Sequence, residues 1–201
     1  MMNTKKPRLF FLASGQGGLF KSCAEALKKE IQCEIVGLGS QNGTSGGVSK
    51  AKEMGIPIYI YPKSSSALNE ELLKSVELAQ PDLIILAGFS RKIPEEIVKA
   101  YSSRMVNSHP SLLPKYGGQG MYGSFVHQAV FRAKELETGI TVHLINEEYD
   151  QGKILAQKTI SISAATSAAE IEDLVKNIER HFYPEVLVRY LLSMGASPFA
   201  D

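Results

Sequence analysis

Five short apolar runs, each followed by a different kind of segment, constrain this chain more than any other feature. They are Leu9-Phe10-Phe11-Leu12-Ala13, Glu34-Ile35-Val36-Gly37-Leu38, Ile58-Tyr59-Ile60, Leu83-Ile84-Ile85-Leu86 and Met105-Val106-Asn107-Ser108-His109. Continuous apolar runs of this length suit strands covered on both faces, the situation in a parallel sheet. The segments between them carry helical spacing. Phe20, Cys23, Ala24 and Leu27 fall on one stripe of a helix over 19–30. Further helices are predicted over 48–54, 69–78 and 95–101, with Pro94 at the first helical position of the last. Alternation of this kind predicts βαβ units and a Rossmann-like α/β fold.

The pattern changes after His109. Residues 115–123 form a loop holding Gly117, Gly118, Gly120 and Gly123. A helix is predicted over 124–134. Residues 140–145 and 154–162 alternate apolar and polar, which predicts antiparallel strands added to the sheet. A long helix over 168–192 is expected to be interrupted or kinked at Pro184. No repeat or linker divides the chain, so 1–201 is expected to be one domain: a mostly parallel sheet with flanking helices and an antiparallel addition in the C-terminal half.

A chain of 201 residues can enclose a full core. Its formal charge of +1 gives no bulk argument for nucleic acid or an anionic membrane. No apolar run approaches the roughly 18 residues of a membrane span. Residues 1–8 are polar and basic, and the apolar run after them is too short for a signal peptide, so a cytoplasmic protein is expected. Cys23 and Cys33 are expected as reduced thiols. No Cys, His or carboxylate cluster has metal-ligand spacing, so no metal is expected. Nothing in the pattern sets the oligomeric state.

Chemistry concentrates around Asn107-Ser108-His109-Pro110-Ser111-Leu112-Leu113-Pro114. On a strand, residues i and i+2 share a face, so the Asn107 amide and the His109 imidazole project side by side. Pro110 ends the strand and Pro114 fixes the loop beyond it. A carboxylate brought back against His109, for which Asp150 is the candidate, would hold its ring and favour the imidazolium. Amide, imidazole and carboxylate together suit acyl transfer through a charged tetrahedral intermediate. Taken alone, an Asn-x-His at a strand end is more often a hydrogen-bonded turn. Among the other histidines, His143 reads as a packed strand residue. His127 could lie at the surface or near substrate, and His181 is structural or exposed. Ser14-Gly15-Gln16-Gly17-Gly18 between the first strand and helix could approach an anion, or be an ordinary tight turn. Loop 117–123 closes over a ligand or is a flexible connector, and both readings stay open.

The run 106–116, with Leu86-Ala87-Gly88-Phe89-Ser90-Arg91, Gly139-Ile140-Thr141-Val142-His143 and Asp150-Gln151-Gly152, resembles the folate-dependent formyltransferases. The nearest likeness is to the branch that formylates a ribonucleotide amine in purine synthesis. The resemblance covers nearly the whole chain and is strongest over 81–157. It implies transfer of a formyl group from 10-formyltetrahydrofolate to a primary amine, with small-molecule substrates, no metal and no covalent enzyme intermediate. It implies Asn107, His109 and Asp150 as catalytic residues, with Thr141 supporting the Asp150 region. It places the folate at Ser90, Arg91, Lys92, Ile93, Asn107, Asn146, Glu147 and Asp150, and the acceptor at Gly17, Gly18, Leu19, Lys176 and Glu179. The part up to about residue 100 would bind the acceptor's phosphate, and 101–201 would hold the catalytic and folate site. Lys176 and Glu179 can also be read as a solvated i, i+3 ion pair.

The chain departs from the family in three places. The usual Gly-Ser-Asn or Gly-Thr-Asn is Gly17-Gly18-Leu19, the usual Ser-Asn is Ser40-Gln41, and an Arg after the third strand is replaced by Lys63 at best. Backbone donors survive the first change, while hydroxyl and amide side chains do not. Another amine acceptor, such as an amino sugar, and a non-catalytic folate- or nucleotide-binding homologue are therefore the alternatives. A tRNA formyltransferase would carry a further basic domain, and a formyltetrahydrofolate hydrolase a regulatory one.

Overall fold

The computed structural model describes residues 6–198. Of the basic stretch read at residues 1–8, residues 1–5 lie outside that range. In chain order the elements are β1 (Arg8–Leu12), α1 (Gly18–Glu30), β2 (Glu34–Ser40), α2 (Gly46–Glu53), β3 (Ile58–Ile60), α3 (Ser65–Ala79), β4 (Leu83–Leu86), α4 (Glu95–Ala100), β5 (Met105–His109), α5 (Ser124–Arg132), β6 (Glu137–Leu144), β7 (Ile154–Ser161) and α6 (Ala168–Ser193). The strands form one seven-stranded sheet in the order β3-β2-β1-β4-β5-β6-β7. β1 to β5 pair in parallel, and β6 and β7 are antiparallel. The sheet is thus Rossmann-like in its first half with an antiparallel addition, the expected class.

Strand alternation sorts the core into two layers. Leu9, Phe11, Leu83, Ile85, Val106, Ile140 and Val142 face one side with Phe20, Leu27, Val130, Ile171 and Tyr183 of α1, α5 and α6. Phe10, Leu12, Ile84, Leu86 and Met105 face the other with Leu68, Leu72, Ile97 and Val98 of α3 and α4. α3 and α4 cover this second face only as far as β5. Beyond it, the side chains of Asn107 and His109, and of His143 paired across from Asn107, are left to line a cavity.

The α6 helix is uninterrupted over 26 residues with Pro184 inside it, so the interruption expected as one alternative at Pro184 does not occur. A proline removes one ladder hydrogen bond. Here Phe182, Tyr183, Val186 and Leu187 are buried on either side of it, and that burial holds the helix through the defect. The Tyr183 hydroxyl is shared between the carbonyls of Leu86 (3.1 Å) and Val106 (3.0 Å), joining α6 to the carboxyl end of β4 and the start of β5. Burial holds its pKa well above the usual phenol value, so it remains a donor.

Other differences lie at helix starts. α3 begins at Ser65 rather than 69, because Leu68 is buried and extends the Leu68, Leu72, Val76 stripe by a turn. α2 begins at Gly46, capped by Ser45, whose hydroxyl accepts from the Val48 amide at 3.3 Å. Pro94 is the N-cap of α4 rather than its first helical residue, its carbonyl accepting from Ile97 and Val98. Among the described residues no helix is long and apolar enough to cross a membrane, and no group of His, Cys, Asp or Glu is arranged to hold a metal.

Candidate active site

β5 ends at the carboxyl edge of the sheet, where open α/β sheets present ligand crevices. A cavity of about 670 Å³ opens there. Asn107, His109 and Asp150 all line it, together with Ser90, Arg91, Lys92, Ile93, Asn146 and Glu147. The three central residues arrive by different routes. Asn107 and His109 come from alternate positions of β5. Asp150 comes from the β6–β7 connection, where it adopts φ 57°. Gly152 makes that connection possible, because a Cβ on it would lie 1.7 Å from the Leu144 carbonyl oxygen.

His109 is 4% exposed, and both of its ring nitrogens face oxygen acceptors. Nε2 donates to the Tyr116 carbonyl at 2.8 Å, and Nδ1 lies 3.5 Å from Asp150 Oδ2. Only the doubly protonated ring offers a donor to each. The same Asp150 oxygen accepts the Gly118 amide at 2.9 Å. The glycine-rich loop is therefore tied at its stem to both residues: Tyr116 holds the imidazole and Gly118 the carboxylate.

His143 is packed and hydrogen-bonded within β6, as its place in the strand suggested, and it also lines the cavity. Its Nδ1 donates to the Leu144 carbonyl at 2.9 Å, which leaves Nε2 as a lone pair on the neutral ring. Asn107 Nδ2 donates to that lone pair at 3.3 Å. Burial is the largest cause holding the His143 pKa below its ordinary 6.5, so the ring stays an acceptor. Asp150 Oδ1 is 3.7 Å from the same nitrogen. One amide N–H of Asn107 is thereby fixed, and the other is left for a ligand. The signal was the register: Asn107 pairs with His143 across β5 and β6.

Thr141 does not support Asp150. Its hydroxyl donates to the Ser111 carbonyl (2.7 Å) and accepts from the Leu113 amide (3.0 Å) and Gln157 Nε2 (2.8 Å). It fastens the loop that leaves His109. Arg91 is held at the cavity wall by Gln41 Oε1 (3.1 Å) and the Lys63 carbonyl (3.0 Å), so two of the altered positions meet on one guanidinium.

The remaining named positions lie on the other face of the sheet. Gly17, Gly18 and Leu19 open α1, and Lys176 and Glu179 belong to α6, which packs against it. Lys176 pairs with Glu172 rather than Glu179. Glu179 instead accepts from Ser108 Oγ at 2.7 Å, and burial is the main cause pushing its carboxyl pKa up. Ser108, between Asn107 and His109, thus points away from the cavity and toward α6. His127 is buried, with Nδ1 lacking a hydrogen-bond partner among the described residues, and burial lowers its pKa. His181 is exposed.

Fold and site together define a Rossmann-like α/β protein built around an amide, an imidazole and a carboxylate at the end of its central strand. The model of one protein family, formyl transferase, matches residues 7–187, and the chain belongs to that family. The phosphoribosylglycinamide formyltransferase of Bacillus subtilis (strain 168) is 32% identical over 184 residues, covering 89% of this chain and 92% of that protein. The chloroplastic phosphoribosylglycinamide formyltransferase of Vigna unguiculata is 34% identical over 191 residues, covering 92% of this chain and 61% of that protein. With the Arabidopsis thaliana protein at 65%, this chain spans about three-fifths of the length of these plant relatives. The crystal structure of the Brucella melitensis phosphoribosylglycinamide formyltransferase superposes with a TM-score of 0.82 at 30% identity, covering 92% of this chain and 96% of that one.

Proposed function

We propose that this chain transfers the formyl group of 10-formyltetrahydrofolate to the amine of glycinamide ribonucleotide, a step of purine synthesis. The observation that carries the reading is the convergence of Asn107, His109, His143 and Asp150 in one cavity. The relatives' names support the substrate, and a Drosophila melanogaster relative is a trifunctional purine biosynthetic protein. The folate occupies the cavity between Ser90–Ile93 and Asn146–Glu147, and the acceptor enters from the α1 and α6 face. On this reading residues up to about 100 supply the phosphate-binding loop and the later ones the catalytic group, within one domain.

The neutral amine attacks the formyl carbon, and its electrons move the carbonyl pair onto oxygen. The free N–H of Asn107 donates to that oxygen. His109 Nδ1–H, the longer and looser of the two ring contacts, can leave Asp150 and donate as well, while Tyr116 keeps the ring in place. The tetrahedral carbon then collapses and its bond to folate N10 breaks. The nitrogen takes up a proton as the acceptor amine loses one, giving tetrahydrofolate and the formylated amine. Asp150 steadies the imidazolium through both states.

Incubating the purified protein with 10-formyltetrahydrofolate and glycinamide ribonucleotide tests the assignment. Formylated ribonucleotide and stoichiometric tetrahydrofolate are expected. Folate binding with no product at millimolar acceptor refutes it, and product from an amino sugar would redirect it to another amine. A cytoplasmic setting is part of the same reading. Imaging of the tagged full-length protein tests it, since two relatives are named chloroplastic.

A further inference from the structure

The α1 helix opens without a side-chain cap. Its N-cap residue, Gly17, sits at φ 70° and offers no oxygen to the first-turn amides. Those of Gly18, Leu19 and Phe20 have no acceptor within the helix and carry its partial positive charge. A cation nevertheless lies beside them. Arg180 Nε and Nη2 are 3.4 and 3.5 Å from the point a Gly18 Cβ would occupy. Of the neighbouring α6 carboxylates, Glu179 accepts from Ser108 while also lying within electrostatic reach of Arg180, and Glu185 is paired with Arg189. A second cation flanks the loop, with Lys50 Nζ donating to the Gln16 carbonyl at 2.7 Å. The Ser14 hydroxyl oxygen, in the same loop, is buried without a hydrogen-bond partner among the described residues. An anion placed between the amides and these cations would be attracted by both.

We propose that Arg180 is a specificity-determining residue that reads the phosphate monoester of the acceptor, clamping it against the Gly18, Leu19 and Phe20 amides. The inference rests on the formyl-transfer reading above. Gly18 is half of the device: the guanidinium takes the space into which a hydroxyl-bearing side chain would extend. Leu19 donates nothing beyond its amide. A planar fork with parallel N–H donors matches two phosphate oxygens, so one side chain replaces the hydroxyl and amide that positions 18 and 19 lack. Acceptors with a phosphate are thereby selected over the same acceptors without one.

The test uses Arg180→Gln and Arg180→Lys, assayed with glycinamide ribonucleotide and with its dephosphorylated ribonucleoside. Each protein is also titrated calorimetrically with ribose 5-phosphate. Loss of a charge-assisted bidentate contact should lower kcat/KM for the ribonucleotide about 10- to 100-fold in Arg180→Gln, chiefly through KM. The loss should be smaller in Arg180→Lys, which keeps the charge and loses the fork. Ribose 5-phosphate should weaken in parallel, and the preference for ribonucleotide over ribonucleoside should collapse. Arg180 is exposed, so neither substitution opens the core. Equal losses on both acceptors, unchanged KM and Kd, or no ribose 5-phosphate binding by the wild-type protein overturn the assignment. The two readings fail separately. A protein that binds ribose 5-phosphate through Arg180 but formylates no glycinamide ribonucleotide loses the substrate and keeps the residue's role. One that turns over the ribonucleotide with wild-type KM after Arg180→Gln loses only the residue's role.

Discussion

Replacing His143 by phenylalanine separates orientation from packing. His143 is 2% exposed, and a phenyl ring fills nearly the same space. What disappears is a donor to the Leu144 carbonyl and the acceptor for Asn107 Nδ2. Leaving buried polar groups unpaired costs about 1–3 kcal/mol, which in a domain of this size lowers Tm by roughly 2–12 °C. The effect on rate is separate. A fixed oxyanion donor is worth about 10²- to 10³-fold in rate. In this variant the Asn107 amide is present but free to turn, so part of that factor goes. About a tenfold loss in the single-turnover rate is expected, some 1.4 kcal/mol of barrier. The decisive measurement is the cycle with Asn107→Ala. If His143 acts through Asn107, adding His143→Phe to Asn107→Ala should cost less than about twofold. The same tenfold loss in both backgrounds would refute the orienting role and leave His143 with its own contact to the reaction.

Asn107→Ala alone should slow single-turnover formyl transfer at least about 10²-fold, and His109→Ala should abolish it while calorimetry still detects folate; a near wild-type rate in either variant would contradict their placement at the developing oxyanion. Gly152→Ala should destabilise the protein by at least about 2 kcal/mol in a urea melt, because its Cβ would be driven into the Leu144 carbonyl. An unchanged midpoint would mean that the turn carrying Asp150 can shift without cost. Burial lowers the pKa of both His127 and His143 from 6.5, so the folded state refuses protons that the unfolded chain accepts. Stability should therefore fall as pH drops below about 6.5. Thermal melts between pH 7.5 and 5.5 should show the decline, and His127→Gln should make it shallower. A pH-independent Tm over that range would contradict the burial argument.

The strands were legible where burial on both faces left unbroken apolar runs. Leu83–Leu86 and Met105–His109 begin and end where the residue pattern says they should. The start of α3 was less legible because Ser64, Ser65 and Ser66 have the composition of a loop, and only the burial of Leu68 draws them into a helix. Pro184 predicts an interruption or a kink by local rules, while the apolar face around it keeps the helix continuous. Period two on β5 put Asn107 and His109 on one face before any coordinates were needed. The partner of Asn107 was not legible, because the hydrogen bond depends on the antiparallel register of β5 and β6. Thr141 shows the same limit: adjacency in the motif says nothing of which loop its hydroxyl reaches. Arg180 and Gly18 are far apart in the chain, and no local pattern joins them.

The shared hydroxyl of Tyr183 fixes how α6 is rolled about its own axis. Glu179 lies one turn before it and Arg180 beside that, so their bearing on Ser108 and Gly18 is set from inside the core. Lys176 and Arg180 can then change identity without the helix turning, because neither ties it to the sheet, whereas Glu179 holds α6 to β5 through Ser108. The cavity face of β5 is anchored independently, through Tyr116, Gly118 and His143. On the proposed function, selection can thus rewrite which amine is accepted on one side of the central strand while the formyl chemistry on the other side is carried along intact.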